Sequence, residues 1–238
     1  MADNIARVFA DAIATDPTRP LLTWYDDATG ERTELSGATL ANWVAKTANL
    51  LVDEVALAPG DPAAVLLPPH WQTAAVLLGC WSAKLTVVDA PGAVDVLFAA
   101  ADRVDEANAW SAGERYALAL DPFALPMRQV PPGFADFVSA VRGHGDHFTP
   151  YPQGGDGDAE LLARAEARGA ELCLTPGDRL LVDTGRHPDP VDWLLAPLAA
   201  GASLVLCGNL DPARLDSRTA TEKVTRSVSD QLSDPESD

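Results

Sequence analysis

At 238 residues, with 47% hydrophobic and 22% charged side chains, the chain is a folded globular protein able to bury roughly 70–75% of its unfolded surface, which excludes disordered, collagenous and fibrous classes. Lys and Arg number 17 against 35 Asp and Glu, and the formal charge of -18 sets up a field that repels phosphate backbones and anionic lipid, so nucleic acid and membrane surfaces are disfavoured partners. Met1-Ala2-Asp3-Asn4 lacks the basic-then-apolar order of a targeting peptide, and no apolar run nears the ~20 residues of a spanning helix. The odd, scattered set Cys80, Cys173 and Cys207 fits reduced core thiols rather than a disulfide frame, and a cytoplasmic location is expected.

Two strand-prone runs around Asp26-Asp-Ala-Thr-Gly30 predict a β-hairpin over 21–35, after which Ser36 caps a helix with Leu40, Val44, Thr47, Ala48 and Leu51 at helical spacing. Pro59-Gly60-Asp61 turns into a short strand at 63–67. Residues 71–81 are apolar at nearly every position, which predicts a core helix without a wide polar face. Strands follow at 85–88, 94–98 and 116–120, with a helix-compatible stretch at 101–110. Phe134, Phe137, Val138 and Val141 mark a short amphipathic helix that stops at Gly143.

The Gly-, Pro- and Asp-rich residues 145–158 predict a linker or long loop between a first unit, 1–144, and a smaller one, 159–216. In the second unit, a helix over 159–171 precedes a β-α-β sequence at 179–182, 191–200 and 203–207, with Gly201 as the helix stop. The polar stretch 217–238 is expected to be a disordered acidic tail. Together these elements describe an α/β fold, mostly parallel sheet layers with helices packed on both faces.

Leu21-Leu-Thr-Trp-Tyr, Thr33-Glu-Leu-Ser, Leu57-Ala-Pro-Gly-Asp, Ala64-Val-Leu-Leu-Pro-Pro and Ala74-Ala-Val-Leu-Leu-Gly-Cys-Trp-Ser-Ala-Lys, in this order and spacing, resemble the N-terminal part of the adenylate-forming acyl-CoA synthetase superfamily. Pro176-Gly-Asp-Arg-Leu-Leu-Val and Leu194-Leu-Ala-Pro-Leu-Ala-Ala-Gly-Ala-Ser-Leu-Val-Leu resemble the segment that follows its nucleotide-binding loop. The whole chain is also similar to a small actinobacterial family of unassigned function related to that superfamily. The resemblance implies a truncated acetyl-CoA-synthetase-like N-terminal subdomain and a groove for an acyl or CoA ligand.

The same resemblance implies a Ser/Thr/Gly-rich phosphate loop ending in Pro-Lys-Gly, but this chain has Tyr151-Pro-Gln-Gly-Gly-Asp-Gly-Asp158 there. That segment offers glycines without hydroxyls or a lysine, and sets carboxylates where a phosphate needs cations. The superfamily's later adenine, ribose and lysine motifs are likewise not found in the chain. The expectation is therefore a non-catalytic binding or interaction module, a pseudoenzyme with no cofactor. Apolar surface at 71–81 and 194–206 is expected to need cover from a second copy or a protein partner. The alternative is an acyl-CoA synthetase-like enzyme that keeps its acyl/CoA groove and is completed by another chain.

By the same resemblance His187, in Asp183-Thr-Gly-Arg-His-Pro-Asp-Pro, falls where the superfamily lines its acyl pocket, which makes it the ligand-binding candidate; its other role is that of a polar loop residue before Pro190. His144, Asp146 and His147, with Asp156 or Asp158 nearby, are candidate metal ligands, against a role for His144 and Arg142 at a helix C-terminus. No Gly-x-Ser-x-Gly elbow surrounds Ser203, and Cys80 on an apolar helix lacks a cationic neighbour, so neither is a nucleophile. Trp24, Trp71, Trp81 and Trp193 are expected in the core.

Overall fold

The computed structural model describes residues 4–155 and 157–228. The helix α1 (Ile5–Ala14), an element not expected above, is capped by Asn4, whose side chain accepts from the Arg7 amide. The hairpin forms as expected from β1 (Pro20–Asp26) and β2 (Glu31–Ser36), with Asp26 facing Glu31 in the register, and Ser36 Oγ accepts from the Thr39 amide to begin α2 (Gly37–Asn49).

After β3 (Pro62–Leu66), the helix α3 (Trp71–Ser82) is buried at every one of its 12 positions, as its uniformly apolar surface requires. It crosses α2 so closely that a Cβ on Gly79 would sit 2.5 Å from Thr47 Cγ2. It ends in a Schellman motif, with Leu85 N–H donating to Cys80 O and Lys84 N–H to Trp81 O, which forces Lys84 into the left-handed region at φ 61°.

Next come β4 (Thr86–Val88), β5 (Ala93–Ala100) and β6 (Ser111–Leu118). The helix expected over 101–110 is only a turn and a single 3₁₀ segment at Glu106–Ala109, because β6 begins earlier than expected and takes its pairing partners from β5. A two-residue β7 (Ala135–Asp136) runs into α4 (Phe137–Val141), followed by α5 (Asp158–Glu171) and β8 (Arg179–Asp183). A π turn at Val191–Leu195 leads into α6 (Ala196–Ala199), then β9 (Ser203–Gly208), α7 (Leu215–Glu222) and β10 (Arg226–Val228).

Two five-stranded sheets result, ordered β10-β8-β9-β1-β2 and β4-β3-β5-β6-β7. Every pairing is parallel except the β1–β2 hairpin. One apolar core joins inner faces of both sheets to α3, with Leu22, Leu180 and Leu204 from the first and Ala63, Val96 and Phe98 from the second. The outer face of the second sheet carries Ala64, Leu97 and Ala99 under Ala107 and Trp110.

Two expectations about organisation are corrected. The division into 1–144 and 159–216 cuts across the first sheet, in which β1 and β2 from the early chain pair with β9 from the late chain, Leu22 opposite Leu204. Residues 145–155 do lack helix and strand, yet they are strapped down: Asn49 Nδ2 donates to Gly145 O and His147 O, and Asn4 Nδ2 to Tyr151 O. The tail expected at 217–238 is folded through residue 228, and residues 229–238 lie outside the described residues. Leu181, Val205 and Cys207 on the outer face of the first sheet need cover, and Leu215 and Val224 supply it.

Polar residues 217–228 earn their place through ion pairs with the sheet. Arg218 is 6% exposed, donates to both Asp27 oxygens and lies over the Tyr25 ring at 4.1 Å. The Arg218 hydrogen bond holds the Asp27 carboxyl below the usual range. Glu222 accepts from Tyr25 Oη, Arg179 Nη2 at 2.6 Å and Arg32 Nη2 at 2.9 Å. Burial works to raise its carboxyl, but the hydrogen bonds from Tyr25, Arg179 and Arg32 outweigh it and lower the pKa.

The apolar surfaces expected to seek a partner are also buried within the chain: Trp71 is 3%, Trp81 5% and Leu194 0% exposed. Large apolar side chains stand out elsewhere, at Phe123, Leu125 and Val130, which are 77%, 54% and 40% exposed.

Candidate functional site

A cleft of about 600 Å³ opens between α3, β4 and the first half of α5, with the segment 188–193 as its far wall. Leu77 and Trp81 of α3, Val87 of β4, Leu161 of α5 and Trp193 make its lining predominantly apolar, and Glu160, Asp89 and Arg164 mark its rim. The size and the apolar wall with few polar groups are those of a small-molecule pocket. Arg164, the one cation of the lining among the described residues, is half exposed and bonds Asp189 through Nη2 at 2.7 Å.

The 188–193 wall is rigidly placed. Trp193 Nε1 donates to Pro188 O at 3.1 Å, and Arg168 Nε of α5 donates to Asp192 Oδ1 at 2.8 Å. His187 sits one layer behind this wall: it does not line the cleft, its Nδ1 lies 3.8 Å from Asp192 Oδ2, and its buried Nε2 has no hydrogen-bond partner. His187 therefore precedes the residues that wall the cleft without lining it.

The first turn of α5 adjoins the cleft through Gly157 and Glu160. A helix start of this kind binds anions through its free amides and dipole. Here Asp158 and Glu160 already put two carboxylates in that turn, and the Asp158 side chain, 2% exposed, accepts the Ile5 N–H through Oδ2 at 3.2 Å. Of these two carboxylates, Glu160 lines the cleft and Asp158 does not.

The metal expectation is corrected. Among the described residues no group of three His, Cys, Asp or Glu side chains is placed to hold a metal ion. His144 Nε2 bonds Glu54 Oε2 at 3.0 Å, Asp146 pairs with Lys46 Nζ at 2.9 Å, and His147 Nε2 is 3.5 Å from Thr149 Oγ1. Asp146 and His144 thus tie the 144–149 strap to α2 and to the turn Leu50–Glu54 that continues it, while the His147 side chain meets Thr149 within the strap. Asp158 is turned to Ile5, and Asp156 lies outside the described residues.

The cysteines are free, and burial pushes the Cys80 thiol up to about 12, which leaves it inert. Sequence reasoning missed His70, which caps α3: its Nδ1 accepts from the Gln72 amide at 3.2 Å, and the ring is 2% exposed. Its position between a strand end and a helix start in Pro68-Pro69-His70-Trp71 is the signal that marks it as a cap.

No family model matches the chain. A curated protein of Mycobacterium tuberculosis, described as a TIGR03089 family protein, is 49% identical over 228 residues, covering 90% of this chain and 93% of that protein. Among solved structures, an acyl-CoA synthetase from Brucella canis superposes with a TM-score of 0.74 at 18% identity, covering 94% of this chain and 46% of its own. The acetoacetyl-CoA synthetase of Streptomyces lividans gives 0.72 at 18% identity, over 92% of this chain and 41% of its own. The N-terminal domain of FACL13 from M. tuberculosis gives 0.66 at 16% identity, covering 94% and 62%. The chain therefore has the α/β fold of the N-terminal part of acyl-CoA synthetases and spans less than half the length of the first two structures.

Proposed function

The chain belongs to the TIGR03089 family, and from that membership and its acyl-CoA-synthetase-like half-fold we propose a binding module that holds an acyl or aryl group in the α3–α5 cleft without ATP-dependent adenylation. The observation that carries the reading is the Glu160 carboxylate, which lines the cleft in the first turn of α5. At about 4 Å, a phosphate charge against a carboxylate costs on the order of 1 to 4 kcal/mol near a surface. The apolar lining supports a hydrocarbon tail, and Arg164, paired with Asp189, supports a neutral polar head such as a thioester more than a free anion.

Phe123, Leu125 and Val130 support a second element of the proposal, a protein partner or second copy that covers this exposed apolar segment. The free thiols suit a reducing, cytoplasmic setting.

A thermal-shift and calorimetric screen of the full chain against fatty and aromatic acids, acyl-CoA, AMP and magnesium-ATP tests the reading. An acyl ligand should raise the melting temperature by mass action, with about 2.7 kcal/mol of stabilisation at a hundredfold excess over Kd. Leu161→Trp, which fills the cleft from a partly buried position, should abolish that shift. Tight binding of magnesium-ATP would overturn the proposal in favour of an enzyme completed by another chain.

A further inference from the structure

A second cleft, of about 460 Å³, lies where the carboxyl ends of strands from both sheets meet. Trp24 and Asp26 at the end of β1 and Gly208 at the end of β9 contribute from one side, and Pro69 and His70, between β3 and α3, from the other. In open parallel sheets, the space beyond the carboxyl ends is where connecting loops diverge and leave room for ligands. This cleft shares no lining residue with the α3–α5 cleft.

Its charge is one-sided. Asp26, Glu31 and Asp102 line it, and no Lys or Arg does so among the described residues. Asp26 and Glu31 face each other across the hairpin, an arrangement that destabilises a strand pair unless something positive lies between or beside the charges. Burial, then the charges of Asp26 and Asp121, raises the Glu31 carboxyl, and Asp26 Oδ1 accepts from the neutral donors Ala28 N–H and Asn209 Nδ2 rather than from a cation. Among the described residues these carboxylates do not form a group placed to hold a metal ion, and a cation that needs only charge and hydrogen bonds, such as an organic ammonium, suits them better.

His70 supplies an independent sign of a ligand. Because its Nδ1 accepts from the Gln72 amide, the neutral ring carries its proton on Nε2, and that buried N–H has no acceptor. Burial pushes its pKa down to about 3, so the ring stays neutral and stays a donor. The His70 ring lines the cleft and meets the Trp24 ring in a T-shaped contact, with the centroids 4.8 Å apart. The Trp24 Nε1–H is likewise buried without a partner. Donors of this kind call for an acceptor oxygen.

We propose that this cleft binds an organic ammonium ion with a neutral acceptor oxygen next to the charge, the ammonium held among Asp26, Glu31 and Asp102, and the oxygen by His70 Nε2–H. Phenylalaninamide carries both features, phenethylamine lacks the oxygen, and N-acetylphenylalaninamide lacks the charge. Titration of the full chain, followed by calorimetry and by the imidazole nitrogen resonances of His70, should show saturable binding of phenylalaninamide with a shift at Nε2. Phenethylamine should bind several-fold more weakly without that shift, and the acetylated compound at least about tenfold more weakly. The Glu31→Gln/Asp102→Asn double variant changes partly or fully exposed carboxylates and should fold normally, with binding reduced at least about tenfold. Equal binding of the acetylated compound, an unchanged affinity in the double variant, or no saturable binding of either amine overturns the proposal.

Discussion

Glu222 offers the sharpest test of whether residues 215–228 belong to the fold. Its side chain is 5% exposed and bridges Arg179, itself 14% exposed, to Arg32, which is 45% exposed. Truncation to alanine removes both pairs. The Arg32 pair is a surface interaction worth about 0 to 1 kcal/mol. Arg179 is the larger loss, because stranding a buried partner costs about 3 to 5 kcal/mol. Arg179 retains Thr23 Oγ1 at 2.8 Å as an acceptor, which places Glu222→Ala at the lower end, about 3 kcal/mol in total.

For a chain of this size that corresponds to a fall in Tm of about 6 to 12 °C, and to a proportionate drop in the urea midpoint at constant m. Glu222→Gln, which keeps the shape and the acceptor oxygen, should lose less. Adding Arg179→Met to Glu222→Ala should recover a good part of the loss, since no charge is then left stranded. A loss below about 1 kcal/mol for Glu222→Ala would mean that the arginine is not stranded and that the late chain does not depend on this bridge.

Gly79→Ala should destabilise by about 1 to 3 kcal/mol in chemical denaturation, because the new methyl meets Thr47 at 2.5 Å in the α2–α3 crossing; Thr47→Ser in the same background should restore part of it. Lys84→Gly should stabilise by up to about 1 kcal/mol, since φ 61° at the end of α3 strains any side chain; no change or a loss would show that the lysine stem, which reaches Gly155, matters more. His70 is lowered by burial from 6.5 to about 3, so the unfolded chain binds its proton first as the pH falls. Its contribution is complete above about pH 6.5 and erodes below it, by about 2 kcal/mol between pH 7 and pH 5. Urea titrations of wild type and His70→Asn, which keeps a capping oxygen, should differ in pH slope by that amount; parallel slopes would refute the assignment.

Much of the fold was legible because its signals are local. The run of apolar residues at 71–82, the Ser36 cap and the turn at Asp26–Gly30 each act within a few neighbours, and each element formed where its residues demanded. The late chain was misread for the opposite reason. Arg218 and Glu222 look solvated in sequence, and only the distant Asp27, Tyr25 and Arg32 turn them into buried partners. The metal candidates failed on the same ground, since Lys46 and Glu54 from the α2 region claim Asp146 and His144. His187 was placed in the loop that walls the cleft, but Asp192 and Trp193 decide which side chains face inward. His70 gains its significance from Trp24, on the opposite sheet.

The order of strands sets a timetable for assembly. The sheet built from β3 to β7 uses one uninterrupted stretch of chain and can pair while later residues are still being made. Its neighbour cannot, because β9 is wedged between β8 and β1, so the hairpin's inner edge stays open until the late segment arrives. Closing so long a loop slows folding far more than it weakens the finished structure. During that interval the Leu22 row is an unpaired, apolar strand edge, the kind of surface on which nascent chains aggregate or recruit chaperones.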